Sequence, residues 1–239
     1  VIDKWKYMYD GKQGNCPIII SAVIGRGWGQ GPTHSQSFHN FFSRLTGIDV
    51  FLPTFPSDII GTYNYAFKSN RPSIILLHRS LFNLKEVEKK IWKFGKARIV
   101  NKGSDILIIS NSFTTIQSLR VAKEIESKFN KKITILDITT TNPLDEKTIL
   151  KHAKTHNNII LIDIDHVKFG ILSEIHSLIS SKYPKKKVTK IGNKFTPTPV
   201  SANLEDEFYP SDNQIFKKCC KLLNIKSLKS IKNQKLNFD

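Results

Sequence analysis

The chain has 239 residues, of which 39% are hydrophobic and 10% aromatic, so it can bury a core and does not have a disordered composition. No apolar run approaches the roughly 20 residues that span a bilayer, so we expect no membrane segment. Three cysteines without a C-x-x-C pair indicate neither a disulfide framework nor a zinc site, which is typical of the reducing cytoplasm.

The formal charge of +17 raises the question of nucleic-acid binding. Only six of the 37 basic residues are Arg, the side chain best suited to bidentate contacts with bases and phosphates. The lysines are spread along the chain, apart from the run at 185–187 and the tail after Leu223. We therefore interpret the charge as a solvated surface and expect no nucleic-acid partner.

The first third of the chain predicts alternating strands and helices. The elements are a buried strand at 17–23, a glycine-rich segment at 25–31, a helix at 33–44, strands at 49–53 and 73–77, and between these two strands a helix capped by Ser57. The apolar face of that second helix is expected to contain Ile59, Ile60, Tyr63, Ala66 and Phe67. Such alternation predicts a parallel sheet that is covered on both faces.

Alternation resumes after a charge-rich stretch. The predicted strands are 106–110, 133–138, 158–163 and a weaker one near Val188, and the predicted helices are 113–129, 145–156 and 169–183. Ser211 and Gln214 have the spacing of a capping box and open a last helix that buries Ile215, Cys219 and Leu222. The sequence therefore predicts two α/β domains, at 1–82 and 104–224, with a linker at 83–103 and a polar tail at 225–239.

Several motifs carry a family resemblance. Residues 29–36 read GQGPTHSQ, 47–53 read GIDVFLP, 94–100 read FGKARIV and 209–211 read YPS. In this order they resemble the beta subunits of thiamine-diphosphate-dependent 2-oxo-acid dehydrogenases, of the pyruvate dehydrogenase type, over about residues 4–222. The resemblance implies two three-layer α/β domains: a partial transketolase-like pyrimidine-binding domain, then a transketolase C-terminal domain.

The resemblance also implies a cofactor shared between subunits. In such proteins the first domain contacts the aminopyrimidine ring of thiamine diphosphate, and an alpha-type subunit holds the diphosphate and Mg²⁺. The glutamate that activates the ring would precede Val1, so we interpret the chain as truncated at its N-terminus. We expect the isolated chain to be inactive and to contain no magnesium site.

Two site residues follow from the resemblance. His34, in the HSQ motif, would lie near the reacting carbon, where an imidazole with a pKa of about 6.5 can both donate and accept a proton. Arg79 ends a strand, where parallel sheets gather ligands, and could bind a substrate carboxylate or form an interface salt bridge. We assign no cofactor-binding residue in this chain. The spacing of His152, His156, His166 and His176 does not indicate a metal site.

The glycine-rich segment matches neither a Walker A motif nor a dinucleotide fingerprint. We interpret it as a loop that shapes the active-site entrance and not as a phosphate cradle.

The implied activity is oxidative decarboxylation of a 2-oxo acid with transfer of the acyl group to a lipoyl group. Pyruvate is the default substrate, followed by branched-chain acids and acetoin. The implied partners are an alpha-type subunit, in a heterotetramer, a lipoyl acyltransferase core, and a second copy contacted through the C-terminal domain. Alternatives are part of a transketolase-like or deoxyxylulose-phosphate-synthase-like enzyme, a non-catalytic assembly module, and, third, a basic nucleic-acid binder.

The distribution of lysines predicts weak binding to nucleic acid. At about 150 mM salt we expect no sub-micromolar affinity for duplex or single-stranded DNA, because scattered charges are screened and do not act together. Fluorescence anisotropy on the chain, and on a variant that ends at Asn224, tests this. Sub-micromolar binding that disappears in the shortened variant would show that the tail is a nucleic-acid site.

Overall fold

The structure is a computed structural model that describes residues 1–25, 29–85 and 92–226. The centre of the glycine-rich segment, part of the predicted linker and most of the predicted tail therefore lie outside the described residues. Within the described ranges, no helix is long and apolar enough to cross a membrane. Strands and helices alternate along the chain and the strands form two sheets, which confirms the α/β fold class.

The described residues form nine strands and eight α-helices. The strands are β1 (Ile19–Ile24), β2 (Asp49–Phe51), β3 (Ser73–His78), β4 (Arg98–Asn101), β5 (Ile106–Ser110), β6 (Ile133–Asp137), β7 (Thr140–Asn142), β8 (Asn158–His166) and β9 (Lys187–Asn193). The helices are α1 (Gly31–His34), α2 (His39–Ser43), α3 (Pro56–Ser69), α4 (Ser112–Phe129), α5 (Glu146–Thr155), α6 (Ile171–Lys182), α7 (Ala202–Phe208) and α8 (Asp212–Leu222). Two 3-10 helices cover Ile2–Gly11 and Arg79–Leu81.

Each sheet is mostly parallel and carries one antiparallel edge strand. The first sheet has the order β1-β3-β2-β7, with β7 antiparallel to β2. The second has the order β4-β6-β5-β8-β9, with β4 antiparallel to β6. The predicted parallel arrangement holds for the other strands of the first sheet, and β7 at its edge differs from it.

Strand β7 ties the two sheets together. It begins at Thr140, just after β6 ends at Asp137, yet it pairs with β2 in the other sheet. The backbone N–H of Leu52 also donates to the carbonyl of Thr139, at 2.8 Å. The division at 82 and 104 remains a prediction, but the two sheets are joined by this strand as well as by the chain between them.

The second sheet is covered on both faces, as predicted. Alternate residues of β5 point in opposite directions, so Ile106 and Ile108 pack beneath α4 and α8, whereas Leu107 and Ile109 pack beneath α5 and α6. The predicted capping box at Ser211 is present and opens α8. Buried aliphatic side chains of this kind provide most of the free energy that stabilises such a domain.

The first strand differs from its prediction. We expected a buried strand, but β1 pairs only with β3 and lies at the sheet edge. The Ile20 and Val23 side chains are 40% and 46% exposed. An apolar run predicts burial of a strand only when neighbours cover both faces, and the described residues do not cover β1 in this way.

The helix predicted at 33–44 is two short helices, α1 and α2. Between them the chain turns inward, and Ser35 and Ser37 are buried. The Tyr209 hydroxyl donates to the Ser35 carbonyl at 2.8 Å and so replaces a bond that a continuous helix would make. Tertiary contacts therefore override the local helical pattern.

Helix α3 begins at Pro56 rather than after a Ser57 cap, and it does not bury its predicted apolar face. The Asp58 carboxylate accepts hydrogen bonds from the backbone N–H groups of Thr54 and Phe55, and Asp58 is fully buried. Ile60 and Phe67 are instead 63% and 73% exposed. Of the five predicted residues, only Ala66 is fully buried. Compared with the prediction, α3 is rotated about its axis so that Asp58 points inward, where its carboxylate has polar partners.

Five short elements have no counterpart in the sequence predictions. They are the 3-10 helices Ile2–Gly11 and Arg79–Leu81, β4, β7 and α7. Strand β4 lies in the segment predicted as a linker, and its Arg98 side chain reaches two buried carboxylates. Short, partly polar elements such as these lack the hydrophobic periodicity that identifies longer ones.

Arg98 joins the two sheets through an ionic cluster. Its Nη2 atom is 2.6 Å from Asp58 Oδ2 on α3 and 3.3 Å from Asp137 Oδ2 at the end of β6. The hydroxyls of Thr54 and Thr115 donate to the other oxygen of Asp137. Burial raises the pKa of Asp137 to about 6; Arg98 opposes this shift and Asp58 adds to it. Without the guanidinium, two carboxylates would share an apolar interior.

We predict that Arg98→Met lowers the free energy of unfolding by about 3 kcal/mol at neutral pH, because it leaves both carboxylates without their cation. Urea unfolding measures the change, and Arg44→Met provides a control at an exposed arginine. The loss should shrink as the pH falls towards about 6, the pKa of Asp137 beside Arg98, because without the guanidinium Asp137 is protonated at a higher pH. A loss that is equal in the two variants, or independent of pH, would contradict the role given to Arg98.

Candidate functional site

The carboxyl ends of β1 and β3 form one edge of the first sheet. These parallel strands are in register, with Ile24 opposite His78. Gly25 follows the first strand and Arg79 the second. Ligands of open parallel sheets gather at such edges, because loops diverge there and leave a crevice. This edge is therefore the candidate functional site.

His78 forms the floor of this edge. Its side chain is 3% exposed and stacks on Phe113, with ring centroids 4.9 Å apart. Gly25 has φ +87°, and a Cβ atom there would lie 2.2 Å from His78 Nε2. Only glycine combines this backbone conformation with so close an approach. The ring is held as a packed wall beneath the loop that follows β1.

Arg79 lies on this edge, and the segment that carries His34 is connected to it. His34 ends α1 and its side chain is exposed. Arg79 is half-buried, and its Nη1 atom donates to the side-chain oxygen of Gln30, the residue before α1. The structure thus links the segment of His34 to Arg79 through Gln30. Their roles in binding and catalysis remain predictions.

The second half of the chain supports the segment that carries His34. Gly29 and Gly31 both have φ +62°, and a Cβ atom on either would lie within 2.7 Å of Val200. Tyr209, which also lies in the second half of the chain, donates a hydrogen bond from its hydroxyl to the Ser35 carbonyl. The position of His34 therefore depends on residues about 170 positions away in the chain.

A buried polar cluster lies next to this segment, and sequence reasoning missed it. His39 Nε2 is 2.9 Å from both carboxylate oxygens of Asp163, and neither side chain is exposed. Asn111 donates to Asp163 at 2.9 Å, and the backbone N–H of Ile164 donates at 2.7 Å. His39 Nδ1 has no hydrogen-bond partner among the described residues. The negative charge of Asp163 therefore has at least three donors within the cluster.

Asn40 extends the cluster to the start of α6. Its amide nitrogen donates to Asp165 at 2.7 Å, and its oxygen accepts from the backbone N–H of Ile171. A Cβ atom on Gly170 would lie 2.4 Å from the amide nitrogen of Asn40, so the helix start approaches the amide closely. Helix α2 is thereby bound to both β8 and α6.

The pair His39–Asp163 favours its charged form. Burial alone lowers the pKa of His39, but the neighbouring carboxylates of Asp163 and Asp165 outweigh it and the net pKa is raised above 6.5. Burial alone raises the pKa of Asp163, but His39 and the amides of Asn111 and Asn40 lower it below its usual range. The imidazolium and the carboxylate stabilise each other inside the protein.

Little in the sequence identifies this cluster. His39 lies within a stretch of helical character, and Asp163 and Asp165 are more than 120 residues away. The one usable signal was a pair of acidic residues at the end of an apolar strand, where buried carboxylates need donors. No local pattern indicates which histidine provides one.

The described residues do not include a metal site. No group of three or more His, Cys, Asp or Glu side chains is arranged to hold a metal ion in these ranges. His156 instead has a packing role: its Nε2 lies 3.0 Å from Thr134 Oγ1, and its Nδ1 contacts the His152 carbonyl.

Comparisons with known proteins show the family of the chain. Residues 95–215 match the sequence family described as "Transketolase, C-terminal domain". The acetoin:2,6-dichlorophenolindophenol oxidoreductase subunit beta of Cupriavidus necator is 29% identical over 218 residues, which cover 89% of this chain and 64% of that protein. The mitochondrial pyruvate dehydrogenase E1 component subunit beta of Saccharomyces cerevisiae is 25% identical, covering 93% of this chain and 63% of its own length.

The chain thus spans just under two thirds of these relatives. A solved structure of a split gene transketolase, described as an inactive beta4 tetramer, superposes with a TM-score of 0.74 at 19% identity. The match covers 89% of this chain and 68% of the other. At that identity the likeness shows the fold alone.

We predict that Asp163→Asn reverses the pH dependence of stability. The contribution of His39 is fully present below pH 6.5 and is lost as pH rises through its raised pKa; that of Asp163 is present above pH 3.8 and is lost at lower pH. In the variant, burial dominates and lowers the pKa of His39, so stability should rise with pH near 6.5.

The measurement is urea unfolding between about pH 5 and 8. The variant should lose about 3 kcal/mol at pH 6, because one partner of a buried pair is missing. Asp10→Asn is the control, because the Asp10 side chain is 90% exposed and its loss should leave the pH dependence unchanged. Equal slopes in the protein and in Asp163→Asn would show that the pair is not charged.

Proposed function

The chain belongs to the family of the transketolase C-terminal domain, and on that premise we propose that it is a beta-type component of a thiamine-diphosphate-dependent 2-oxo-acid dehydrogenase. Two of its relatives, described above, are named beta subunits, and each aligns with about nine tenths of this chain. The relatives span both acetoin and pyruvate enzymes, so the family supports the reaction type more strongly than the substrate.

The exposed position of His34 is the observation that carries the proposal. An imidazole that packed the core would be buried, as His39 and His78 are. His34 instead ends a short exposed helix, and Gln30, the residue before that helix, is bonded to Arg79 at the carboxyl end of β3. This arrangement presents a proton donor and acceptor to a ligand above the edge.

We assign His34 the movement of a proton at the substrate oxygen during decarboxylation and acyl transfer. Thiamine diphosphate, when bound, supplies the carbon nucleophile and the electron sink, which no amino-acid side chain provides. The task of this chain is to orient the substrate and to exchange its proton near neutral pH, which suits an imidazole.

We place the diphosphate and Mg²⁺ on an alpha-type partner subunit. This assignment is supported by the donor set: among the described residues, no group of three or more His, Cys, Asp or Glu side chains is arranged to hold a metal ion. It also accounts for an edge that offers His34 and Arg79 but no described carboxylate. The isolated chain is accordingly expected to show no turnover.

Arg79 is proposed to bind the carboxylate of the substrate. The guanidinium is half-buried at the strand end and is oriented by Gln30, so it can act as a fixed cation. Pyruvate is the default substrate on this argument, with branched-chain 2-oxo acids next. Acetoin has no carboxylate, and an enzyme acting on it would not need this charge.

The partners proposed are the alpha-type subunit, a lipoyl acyltransferase core and a second copy that contacts the C-terminal domain; a cytoplasmic location remains a prediction. A non-catalytic assembly module is the second candidate function. It is favoured by the exposed apolar side chains of β1 and α3, among them Val23, Ile60 and Phe67, because such surfaces commonly mark contacts with other proteins.

We predict that His34→Ala abolishes most activity without unfolding the protein. Loss of a positioned proton donor should reduce turnover about 100-fold or more. The melting temperature should remain nearly unchanged because the side chain is exposed. The assay is reduction of an artificial electron acceptor by the complex with the alpha-type subunit, with pyruvate and acetoin as separate substrates.

His176→Ala, at a half-buried histidine on α6, is the matched control and should retain turnover. If His34→Ala folds and retains near-normal turnover, the catalytic assignment fails. If the complex assembles but is inactive with every substrate tested, the assembly-module function is favoured.

A further inference from the structure

A group of lysines lies at the amino edge of the second sheet. Strands β5, β6, β8 and β9 are parallel, so their first residues share this edge, whereas Asp163 lies towards the carboxyl end of β8. Helix α5 ends just before β8, and α6 ends just before β9. The ends of these helices and the loop before β9 carry the residues that we name the lysine edge: Lys151, Lys154, Lys182, Lys185, Lys186 and Lys187.

Contacts between the end of α5 and the start of β9 bring these lysines together. The Lys186 ammonium donates to the Lys154 carbonyl at 2.8 Å and to Asn157 Oδ1 at 3.1 Å. The backbone N–H of Lys187 donates to the Asn157 carbonyl at 2.9 Å. Lys154 and Lys186 are 32 positions apart in the chain, yet they contribute to one surface. The fold therefore concentrates positive charge that the sequence distributes over two segments.

The lysine edge is accessible and is not neutralised by neighbouring acids. Five of its six residues are exposed, and Lys186 is half-buried. Lysines elsewhere on this domain have acidic partners, as Lys128 has in Glu124. No residue of the lysine edge forms an ion pair with any residue that the structure describes. The reason is visible in the chain, because residues 147–162 and 175–204 include no Asp or Glu.

Adjoining like charges repel one another, and their potentials add to a positive field. A neighbouring imidazole responds to this field: burial, and after it the charge of Lys151, lowers the pKa of His152 below 6.5. An anionic group at this surface would relieve the repulsion. The charge of the lysine edge therefore selects an anionic partner.

The chemistry of the edge disfavours nucleic acid as that partner. Residues 147–190 contain no Arg, the side chain best suited to bidentate phosphate contacts. Helices α5 and α6 end at this edge, so they present carbonyl groups there and not the N–H groups that bind phosphates. Tyr183, in the loop before β9, packs against the core and does not offer a ring for stacking on single-stranded bases.

The edge also lacks the features of a membrane-binding surface. Segments that lie on a membrane combine lysines with exposed apolar side chains that enter the lipid. Leu178 and Val188, which lie beside the lysines in the chain, instead pack against the core of the second sheet. Mobile ammonium groups without arginines or exposed apolar side chains suit carboxylates spaced along a polypeptide.

We propose that the lysine edge binds an acidic, extended polypeptide segment of a partner protein. Glu and Asp carboxylates of that segment would pair with the exposed ammonium groups. The segment would lie at the opposite end of the sheet from Asp163, roughly 17 Å away over a five-residue strand such as β5. The proposal does not rest on the dehydrogenase function, because binding requires neither the cofactor nor His34.

Fluorescence anisotropy with two labelled peptides tests the proposal on the 239-residue chain. The first is a Glu-rich peptide without apolar residues, and the second has Gln in place of every Glu. At about 150 mM salt the Glu peptide should bind with a Kd of roughly 10 to 100 µM, as expected for several exposed charge contacts. The Gln peptide should not bind.

The double variant Lys151→Gln, Lys154→Gln should weaken binding of the Glu peptide about fivefold, because two exposed ion pairs are lost. Its melting temperature should not fall, since neither lysine has an acidic partner among the described residues. The matched control is Lys68→Gln, Lys123→Gln, which removes the same charge from exposed positions elsewhere and should bind as the parent chain does.

Four results would overturn the proposal. The first is no change in anisotropy with the Glu peptide, and the second is equal binding of the Gln peptide. The third is equal weakening in both double variants, which would assign binding to the net charge of the chain. The fourth is tighter binding of duplex DNA or of phosphatidylserine vesicles that is lost in the Lys151 and Lys154 variant, which would make the partner a nucleic acid or a membrane.

Discussion

The positive charge of His39 is held inside the protein by Asp163, 2.9 Å away, in a place that water does not reach. Burying two charges is costly, and the cost is offset only when each is hydrogen-bonded in good geometry. Asp163 meets this condition through His39, Asn40 and Asn111, whereas His39 meets it through Nε2 alone, because its Nδ1 has no partner among the described residues. Helix α2 is therefore fixed against β8, and the turn that precedes it is fixed as well.

The candidate site inherits its geometry from this constraint. His34 lies on a four-residue helix that could not hold a position alone, since isolated short helices are unstable. It is held at one end by Gln30 and Arg79 and at the other by Tyr209 and the His39 cluster. Arg98 joins the two sheets on a different side, through Asp58 and Asp137. The exposed His34 is thus held in position by buried residues, among them the His39–Asp163 pair.

The sequence predicted what depends on local periodicity and missed what depends on long-range contacts. Strands β5, β6 and β8 are short apolar runs and helix α4 has a regular apolar stripe, so their positions were confirmed. The broken helix at Ser35 and the rotated α3 were predicted wrongly, because buried polar partners elsewhere decide them. His34 could be selected from the family motif, and Arg79 from its position at the end of a parallel strand, where ligands commonly bind. His39 and Asp163, 124 residues apart, share no local pattern.

The hold of Asp163 on α2 depends on the charge state of His39, and NMR of the His39 imidazole nitrogens measures that state directly. A pH titration of the ¹⁵N-labelled chain should show His39 still protonated above pH 6.5, the ordinary pKa of a histidine. A His39 ring that is neutral at pH 6.5 would contradict the account. Burial would then outweigh Asp163, and the pair could not hold α2 in the way described.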